Sequence, residues 1–371
     1  MDQILITAVE IYKIFIPLKE PFIISLGPVN DVQNIIIQIR TDKGITGVGE
    51  CSPYMTINGE SVDTCFIVAQ YFATALKKHN ALDIEGAVNK MDSIIYGNSS
   101  IKSAFDMALY DIASQYEGVP LYKFIGGENT KTLYTDMTVS IGAPEKMAAD
   151  ALRFKEEGFP SIKVKLGTAK DIDVKRIEQI RKSIGNQIPL RIDANQGWQT
   201  ADHAIDILKA LSIYNIEHCE EPIERWRFME LARVSNESPI PIMADESCGD
   251  DHDAERLIKL QACKMFNIKL GKSSGIFKAL KIIKLASEAN MHLQIGGFME
   301  SRIGMTAAAH LALSNDHIIH CDFDTPLMFT EDPVLGGITY KNNGVVEVFD
   351  VIGLGATVDK KYLDNAVSII V

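Results

Sequence analysis

The stretch Ser161-Ile-Lys-Val-Lys-Leu166 and its successor Leu190-Arg-Ile-Asp193 decide the fold. Each reads as a short strand, and an amphipathic helical stretch fills the interval between them. Outward from this pair the same alternation repeats. Thr132–Ser140 precedes it, and Asn215–Glu221, Pro241–Glu246, Met265–Leu270, His292–Gly296 and Ile318–Asp324 follow. One polar or glycine position near the end of each run, namely Thr138, Lys165, Asp193, Glu220, Asp245, Lys269, Gly297 and Asp322, recurs at intervals of 24 to 28 residues. That interval holds one strand and one helix. Eight α/β units of such even length predict a closed (β/α)8-type barrel rather than a doubly wound open sheet.

The flanks follow another grammar. Residues 1–50 alternate Ile4, Ile6 and Ala8, then run Ile35 to Ile39, turn at Thr41-Asp-Lys-Gly44 and end on a short strand at Glu50, which predicts a β-meander. Three helical stretches follow. The third, Ile101 to Glu117, keeps Ala104, Ala108, Leu109, Ile112 and Ala113 on one face and stops at Gly118, with Pro120 just beyond. From Val334 short strand signals return, at Ile338–Tyr340 and Val345–Val348 around an Asn-Asn-Gly turn. The expected organisation is an α+β unit over 1–130, a modified (β/α)8 barrel over 131–333, and a tail, 334–371, that returns to the first unit.

Composition narrows the function. The chain has 371 residues, 46% hydrophobic and 23% charged, an ordinary globular balance that predicts a large core. A formal net charge of −12 and no long run of Lys or Arg argue against a nucleic-acid partner. Six cysteines without a CxxC spacing read as reduced thiols. Apolar stretches such as Ile303 to Ser314 run for about a dozen residues, short of the roughly 20 a membrane helix needs. Asp2, Glu10 and Lys13 interrupt the N-terminal apolar pattern, which reads as a strand rather than a signal peptide. A soluble, cytoplasmic protein without a membrane partner is the expectation.

In a barrel the strand ends carry the chemistry, and here they are carboxylates and lysines. Asp193, Glu220 and Asp245 end three successive strands, so they sit side by side at one rim, where mutual repulsion calls for a cation. An all-oxygen set suits one Mg²⁺. Lys163 and Lys165 flank Val164, so strand geometry points both inward; Lys269 lies four strands on, against the opposite wall. A lysine base needs its pKa lowered from about 10.4 toward roughly 7–8, which a neighbouring ammonium and a dication favour. Opposed lysines beside a metal suit proton removal next to a carboxylate, through an enediolate, with return from the other face to invert the carbon. Asp322 and Asp324 share a strand face and are suited to holding a substrate ammonium. Each of these residues alone reads as readily as a solvated strand end.

Taken in order, Ser161-Ile-Lys-Val-Lys165, Arg191-Ile-Asp-Ala-Asn195, Glu220-Glu-Pro222, Met243-Ala-Asp-Glu-Ser247, Asn267-Ile-Lys269 and Gly296-Gly-Phe-Met-Glu-Ser301 resemble the enolase superfamily, muconate-lactonizing-enzyme subgroup, across almost the whole chain. The helix Ala104–Gly118, with Pro120-Leu121 and Gly126-Gly127, resembles that family's capping-domain signature. The resemblance implies a (β/α)7β-type TIM barrel with an α+β capping domain formed by the N-terminal segment and the C-terminal tail. Cys321-Asp-Phe-Asp324 resembles the DxD element of dipeptide epimerases, implying a small-molecule dipeptide substrate held by its ammonium group. By the family's roles, Lys165 and Lys269 are the acid/base pair, Asp193, Glu220 and Asp245 the Mg²⁺ ligands, Lys163 a support for the substrate carboxylate and Thr138 a substrate contact.

Ala-Glu epimerases of this family carry an arginine in the capping loop, whereas Pro21-Phe-Ile-Ile-Ser-Leu-Gly-Pro28 offers no cation. That departure implies Ala-Ala or another small or hydrophobic dipeptide, and murein-peptide metabolism would suit it. Gly297 stands where relatives often have Ser, which reshapes the pocket. The resemblance leaves open an Ala-Glu epimerase, a muconate cycloisomerase, an N-acylamino-acid racemase, an o-succinylbenzoate synthase or a metal-dependent binding module. It also implies a homo-oligomer.

Overall fold

The computed structural model describes residues 3–371; Met1 and Asp2, where the expected N-terminal unit begins, lie outside the described residues. Eight parallel strands pair in chain order: Met137–Val139, Ile162–Lys165, Leu190–Asp193, Ile216–Glu220, Ile242–Ala244, Met265–Lys269, His292–Gly296 and Ile318–Cys321. They are numbered here as barrel strands 1 to 8. Thr135, just ahead of strand 1, bridges in parallel to Cys321 of strand 8 and closes the ring. Helices such as Pro144–Glu156, Lys170–Ile184 and Arg302–Ala312 fill the seven crossovers, whereas only a 3-10 turn, Thr325–Met328, follows strand 8. The barrel is thus of the (β/α)7β type.

Two strand readings need correction. Thr132–Ser140 serves two sheets rather than one: Leu133 and Tyr134 pair antiparallel with Val346 and Val345 of the tail, and only Met137–Val139 enter the barrel. The switch falls between successive donors, because the Thr135 N–H bonds to Gly344 O while the Asp136 N–H bonds to Cys321 O. Strand 8 stops at Cys321, so Asp322 and Asp324 do not share a strand face. The Asp324 backbone is already helical, leading into the 3-10 turn.

The N-terminal unit is built on one long hairpin, Ile6–Ile24 against Gly27–Thr41, extended by Thr46–Cys51. Its register slips between Pro17 and Phe22, where the first strand spends more residues than the second between successive pairs. The alternating isoleucines divide between two cores. Ile35, Ile37 and Ile39 face the cap helices, and Ile36 joins the core shared with the barrel. Helix Ser99–Tyr116 lies directly on the third cap strand, where a Cβ at Gly47 or Gly49 would sit 2.0 or 1.9 Å from the carbonyl oxygens of Ala108 and Ala104. The final strand, Val367–Ile370, pairs antiparallel with the first at Glu10–Lys13 and so joins the cap sheet. All six cysteines are free and buried. Among the described residues, no helix is long and apolar enough to cross a membrane.

Candidate active site

Register brings the acidic residues together. Lys165 pairs with Asp193 and Asp193 with Glu220 across strands 2, 3 and 4, while Asp245 lies two residues beyond Met243, the partner of Glu220. One carboxylate oxygen from each of Asp193, Glu220 and Asp245 lies within 4.8 Å of the others, and all three residues are fully buried. Asp193 keeps its second oxygen on the Asn195 N–H at 2.8 Å. Both Asp245 oxygens lack a hydrogen bond, although Lys269 and Lys272 pair with them at 2.8 and 2.6 Å. Three hard, buried oxygen donors from three adjacent strand ends, with no hydrogen bond to either Asp245 oxygen, fit Mg²⁺.

The lysines stand where the sequence places them. Lys165 Nζ donates to Asp193 Oδ2 at 2.7 Å, and on the opposite wall Lys269 Nζ pairs with Asp245 Oδ2. Lys163 lies deeper. Its Nζ donates to Glu220 and Asp322, each at 2.8 Å, and pairs with Asp193 at 3.3 Å. Burial disfavours its charge, but Asp322, Glu220 and Asp193 outweigh it and push the Lys163 pKa well up. Burial likewise opposes the Lys269 charge, yet Asp245 pushes this pKa up as well. The expected lowering is therefore not the work of the protein's own groups, because the carboxylates that would share a dication hold these two lysines as ammonium ions. Their counterparts move the other way. Against burial, Lys163 holds Glu220 far below the carboxylate range, and Lys269 with Lys272 holds Asp245 at about 2.

Several supporting residues escaped the sequence reading. Lys272 donates to the carbonyls of Asp245, Cys248 and Asn267, which buckles the loop after strand 5 onto strand 6. Glu220 receives Gln294 Nε2 at 2.9 Å and Asn267 Nδ2 at 3.1 Å. Glu221 accepts from the N–H groups of Asp245 and Ser247 and so fixes the backbone around Asp245. Gln294 and Asn267 occupy inward strand positions one layer below the rim, and that periodicity was the available signal.

The remaining expected residues gather on the far side of Lys163. Asp324 Oδ2 accepts the Thr138 N–H at 2.7 Å, and its carboxyl is pushed up to about 7 by burial and then by Asp322. Asp322 is held low because Lys163 outweighs its burial. Gly297 follows strand 7 into tightly filled space, where a Cβ would lie 2.3 Å from Met305 Cε and 2.6 Å from Glu300 Oε2. The cap hairpin closes the mouth. Its Phe22 ring lies 5.9 Å from Lys165 Nζ, its Ser25 hydroxyl donates to Asn195 O at 2.7 Å, and its Ile23 N–H donates to Ser140 Oγ. Opposite, Phe298 lies 5.2 Å from Lys269 Nζ and 5.7 Å from the Tyr54 ring. Beside Tyr54 opens a cavity of about 490 Å³ between the hairpin and the segment after the third cap strand. Its lining includes Leu26, Val29, Asp31, Tyr54, Glu60 and Met299, and no lysine or arginine among the described residues.

Comparison with known proteins gives concordant matches. Residues 6–126 match the mandelate racemase / muconate lactonizing enzyme N-terminal domain, and residues 146–362 match the enolase C-terminal domain-like family. The D-Ala-D/L-Ala epimerase of Cytophaga hutchinsonii is 55% identical over 361 residues, spanning 97% of this chain and 98% of that protein. The L-Ala-D/L-Glu epimerase of Clostridium acetobutylicum is 38% identical over 354 residues, spanning 95% and 98%. A crystal structure of the dipeptide epimerase from Cytophaga hutchinsonii, complexed with Mg and the dipeptide D-Ala-L-Val, matches with a TM-score of 0.98 at 55% identity and covers 99% of each chain.

Proposed function

The chain belongs to the mandelate racemase / muconate lactonizing enzyme family of the enolase superfamily, and from that premise we propose that it is a Mg²⁺-dependent dipeptide epimerase, an isomerase that inverts the α-carbon of the C-terminal residue. The observation that carries this reading is the pair of opposed lysines, each ion-paired to a different member of the Asp193, Glu220 and Asp245 set. Asp193, Glu220 and Asp245 hold the metal, which supplies positive charge beside the substrate carboxylate. Lys165 and Lys269 exchange the α-proton from opposite faces, one removing it to leave an enediolate and the other returning it. Lys163 places its charge between the metal set and the Asp322–Asp324 pair, where the substrate carboxylate meets the rim. Asp322 and Asp324 take the α-ammonium, and Thr138 lies against it, with its backbone orienting Asp324.

The preferred side chain is small or hydrophobic, as in Ala-Ala. No lysine or arginine occurs from Glu20 to Ile39, and the hairpin presents Phe22, Ile24 and Leu26 while the adjoining cavity lacks a cation. An acidic side chain would enter that space without a partner for its charge. Gly297 leaves its corner to Met305 and Glu300. The 55% identity to a D-Ala-D/L-Ala epimerase supports the same choice.

The test is mass spectrometry of a dipeptide library, including Ala-Ala, Ala-Glu and Ala-Phe stereoisomers, incubated with the protein and Mg²⁺ in D₂O. Gain of one deuterium at the C-terminal residue of Ala-Ala or hydrophobic members, without Ala-Glu, is the expected result. A lead by Ala-Glu overturns the side-chain assignment, and no exchange in any dipeptide overturns the reaction.

A further inference from the structure

Below the Asp322–Asp324 pair lies a third carboxylate. Asp136, just before barrel strand 1, is 0% exposed, and its Oδ2 accepts a hydrogen bond from Arg191 Nη1 at 2.9 Å. Its Oδ1 has no hydrogen-bond partner among the described residues. One carboxylate oxygen from each of Asp136, Asp322 and Asp324 lies within 4.8 Å of the others. Arg191, two residues before Asp193 on strand 3, is held on its other edge, where Nε donates to Glu217 at 2.9 Å and Nη2 lies 2.7 Å from His320 Nδ1.

Three carboxylates thus face two cations, both of them shared: Lys163 also serves Glu220 and Asp193, and Arg191 also serves Glu217. A guanidinium is charged at any accessible pH, and its fork pairs with whichever carboxylate it meets. Asp136 is the acceptor that fixes Nη1. Were that acceptor lost, the next carboxylates in reach would be Asp322 and Asp324, whose free oxygens the dipeptide ammonium needs. We propose that Asp136 is a positioning residue that anchors Arg191 and so keeps the Asp322–Asp324 pair open for the substrate ammonium group. The inference rests on the dipeptide-epimerase reading above.

The experiment measures kcat and KM for epimerisation of D-Ala-L-Ala by the wild type, Asp136→Ala, which removes the acceptor, and the double variant Asp136→Ala/Arg191→Met. Asp136→Ala is expected to raise KM about tenfold or more, with kcat changed less than about threefold. In the double variant the misplaced cation is gone, and KM returns to within about threefold of wild type. A residue of merely structural importance gives no such recovery, so a double variant as impaired as the single one overturns the proposal, as does an unchanged KM in Asp136→Ala. Should the single variant fail to fold, the double variant decides alone: near-wild-type KM supports the anchoring role and a raised KM overturns it. A wild type inactive on every dipeptide removes the epimerase reading itself, and this inference falls with it.

Discussion

The barrel rim and the seam between cap and barrel both bury carboxylates, and those of the rim that meet a lysine behave in the opposite way to those of the seam. At the rim, burial pushes Glu220, Asp245 and Asp322 upward, but Lys163, Lys269 and Lys272 outweigh it, and all three lie below the ordinary range. In the seam, burial prevails: Glu50 is pushed up, and Asp106 and Glu300 reach about 8. The seam carboxylates mostly meet N–H groups. Glu50, on the third cap strand, accepts from the N–H groups of Ser301 and Gly304, each at 2.9 Å, at the start of helix Arg302–Ala312. Asp106, on cap helix Ser99–Tyr116, accepts from the N–H groups of Ile276 and Phe277 at the start of helix Ile276–Glu288. Equal burial thus yields opposite shifts according to the partner. At the rim the lysines outweigh burial, whereas in the seam the N–H groups of the helix starts lower the carboxyl pKa values without outweighing it.

If the rim cations do chemistry as well as neutralise, Lys165→Ala and Lys269→Ala have the largest effect. Each is expected to lower inversion of the dipeptide by about 10³-fold, within the range for loss of a positioned acid or base. Each retains deuterium exchange only for the stereoisomer whose α-proton faces the surviving lysine. Mass spectrometry of both isomers in D₂O reads the two effects apart, and inversion persisting in either variant would reduce that lysine to a counter-ion. Next comes Asp245→Asn. Removing one charged ligand is expected to weaken Mg²⁺ binding at least about tenfold by isothermal titration, because the neutral amide is a poorer donor to a hard cation. Unchanged Mg²⁺ affinity would mean that the rim stays negative for its lysines alone.

The two regions were unequally legible in the sequence. The rim could be read because each candidate residue lies at or just past a strand end, and strands recur every 24 to 28 residues, so local pattern alone aligned Lys165, Asp193, Glu220, Asp245 and Lys269. Asp322 and Asp324 were placed together for an incomplete reason, since their convergence comes from the turn after strand 8 rather than from a shared strand face. The seam could not be read. Glu50 meets Ser301 across 251 positions and Asp106 meets Ile276 across 170, and no periodicity links such pairs. The long first hairpin strand was also hidden, because Pro17 and Pro21 interrupt its pattern where the register slips.

The seam offers a pH test with a smaller effect. Asp106, its pKa pushed up to about 8 by burial, keeps its proton in the folded state to about pH 8, whereas an unfolded aspartate loses it near the ordinary value of 3.8. Stability from this group is therefore fully present below about pH 4 and declines as pH rises to about 8. Asp106→Asn keeps an acceptor for the Ile276 and Phe277 N–H groups but cannot ionise. Its melting temperature relative to wild type is expected to gain about 3 °C between pH 5 and pH 8. A constant difference would show that the seam carboxylate is ionised like those at the rim, favoured by the helix N-terminus it caps.

Gly297→Ser probes the point where rim and seam meet, and its effect is the smallest. The new Cβ would fall 2.3 Å from Met305 Cε and 2.6 Å from Glu300 Oε2, so one of them must move. Met305 is the softer obstacle, since a methionine end can rotate away at a cost of about 1 kcal/mol. Glu300 is held more firmly, because its Oε2 accepts the Phe298 N–H at 2.5 Å and Phe298 in turn lies against Lys269. If Met305 yields, the melting temperature drops by about 2 °C and kcat/KM for Ala-Ala changes less than about threefold. If Glu300 yields instead, Phe298 shifts and the loss appears in kcat through Lys269. Comparing the two parameters in this one variant therefore reports whether the seam carboxylate merely latches the cap or also sets the position of Phe298 and Lys269.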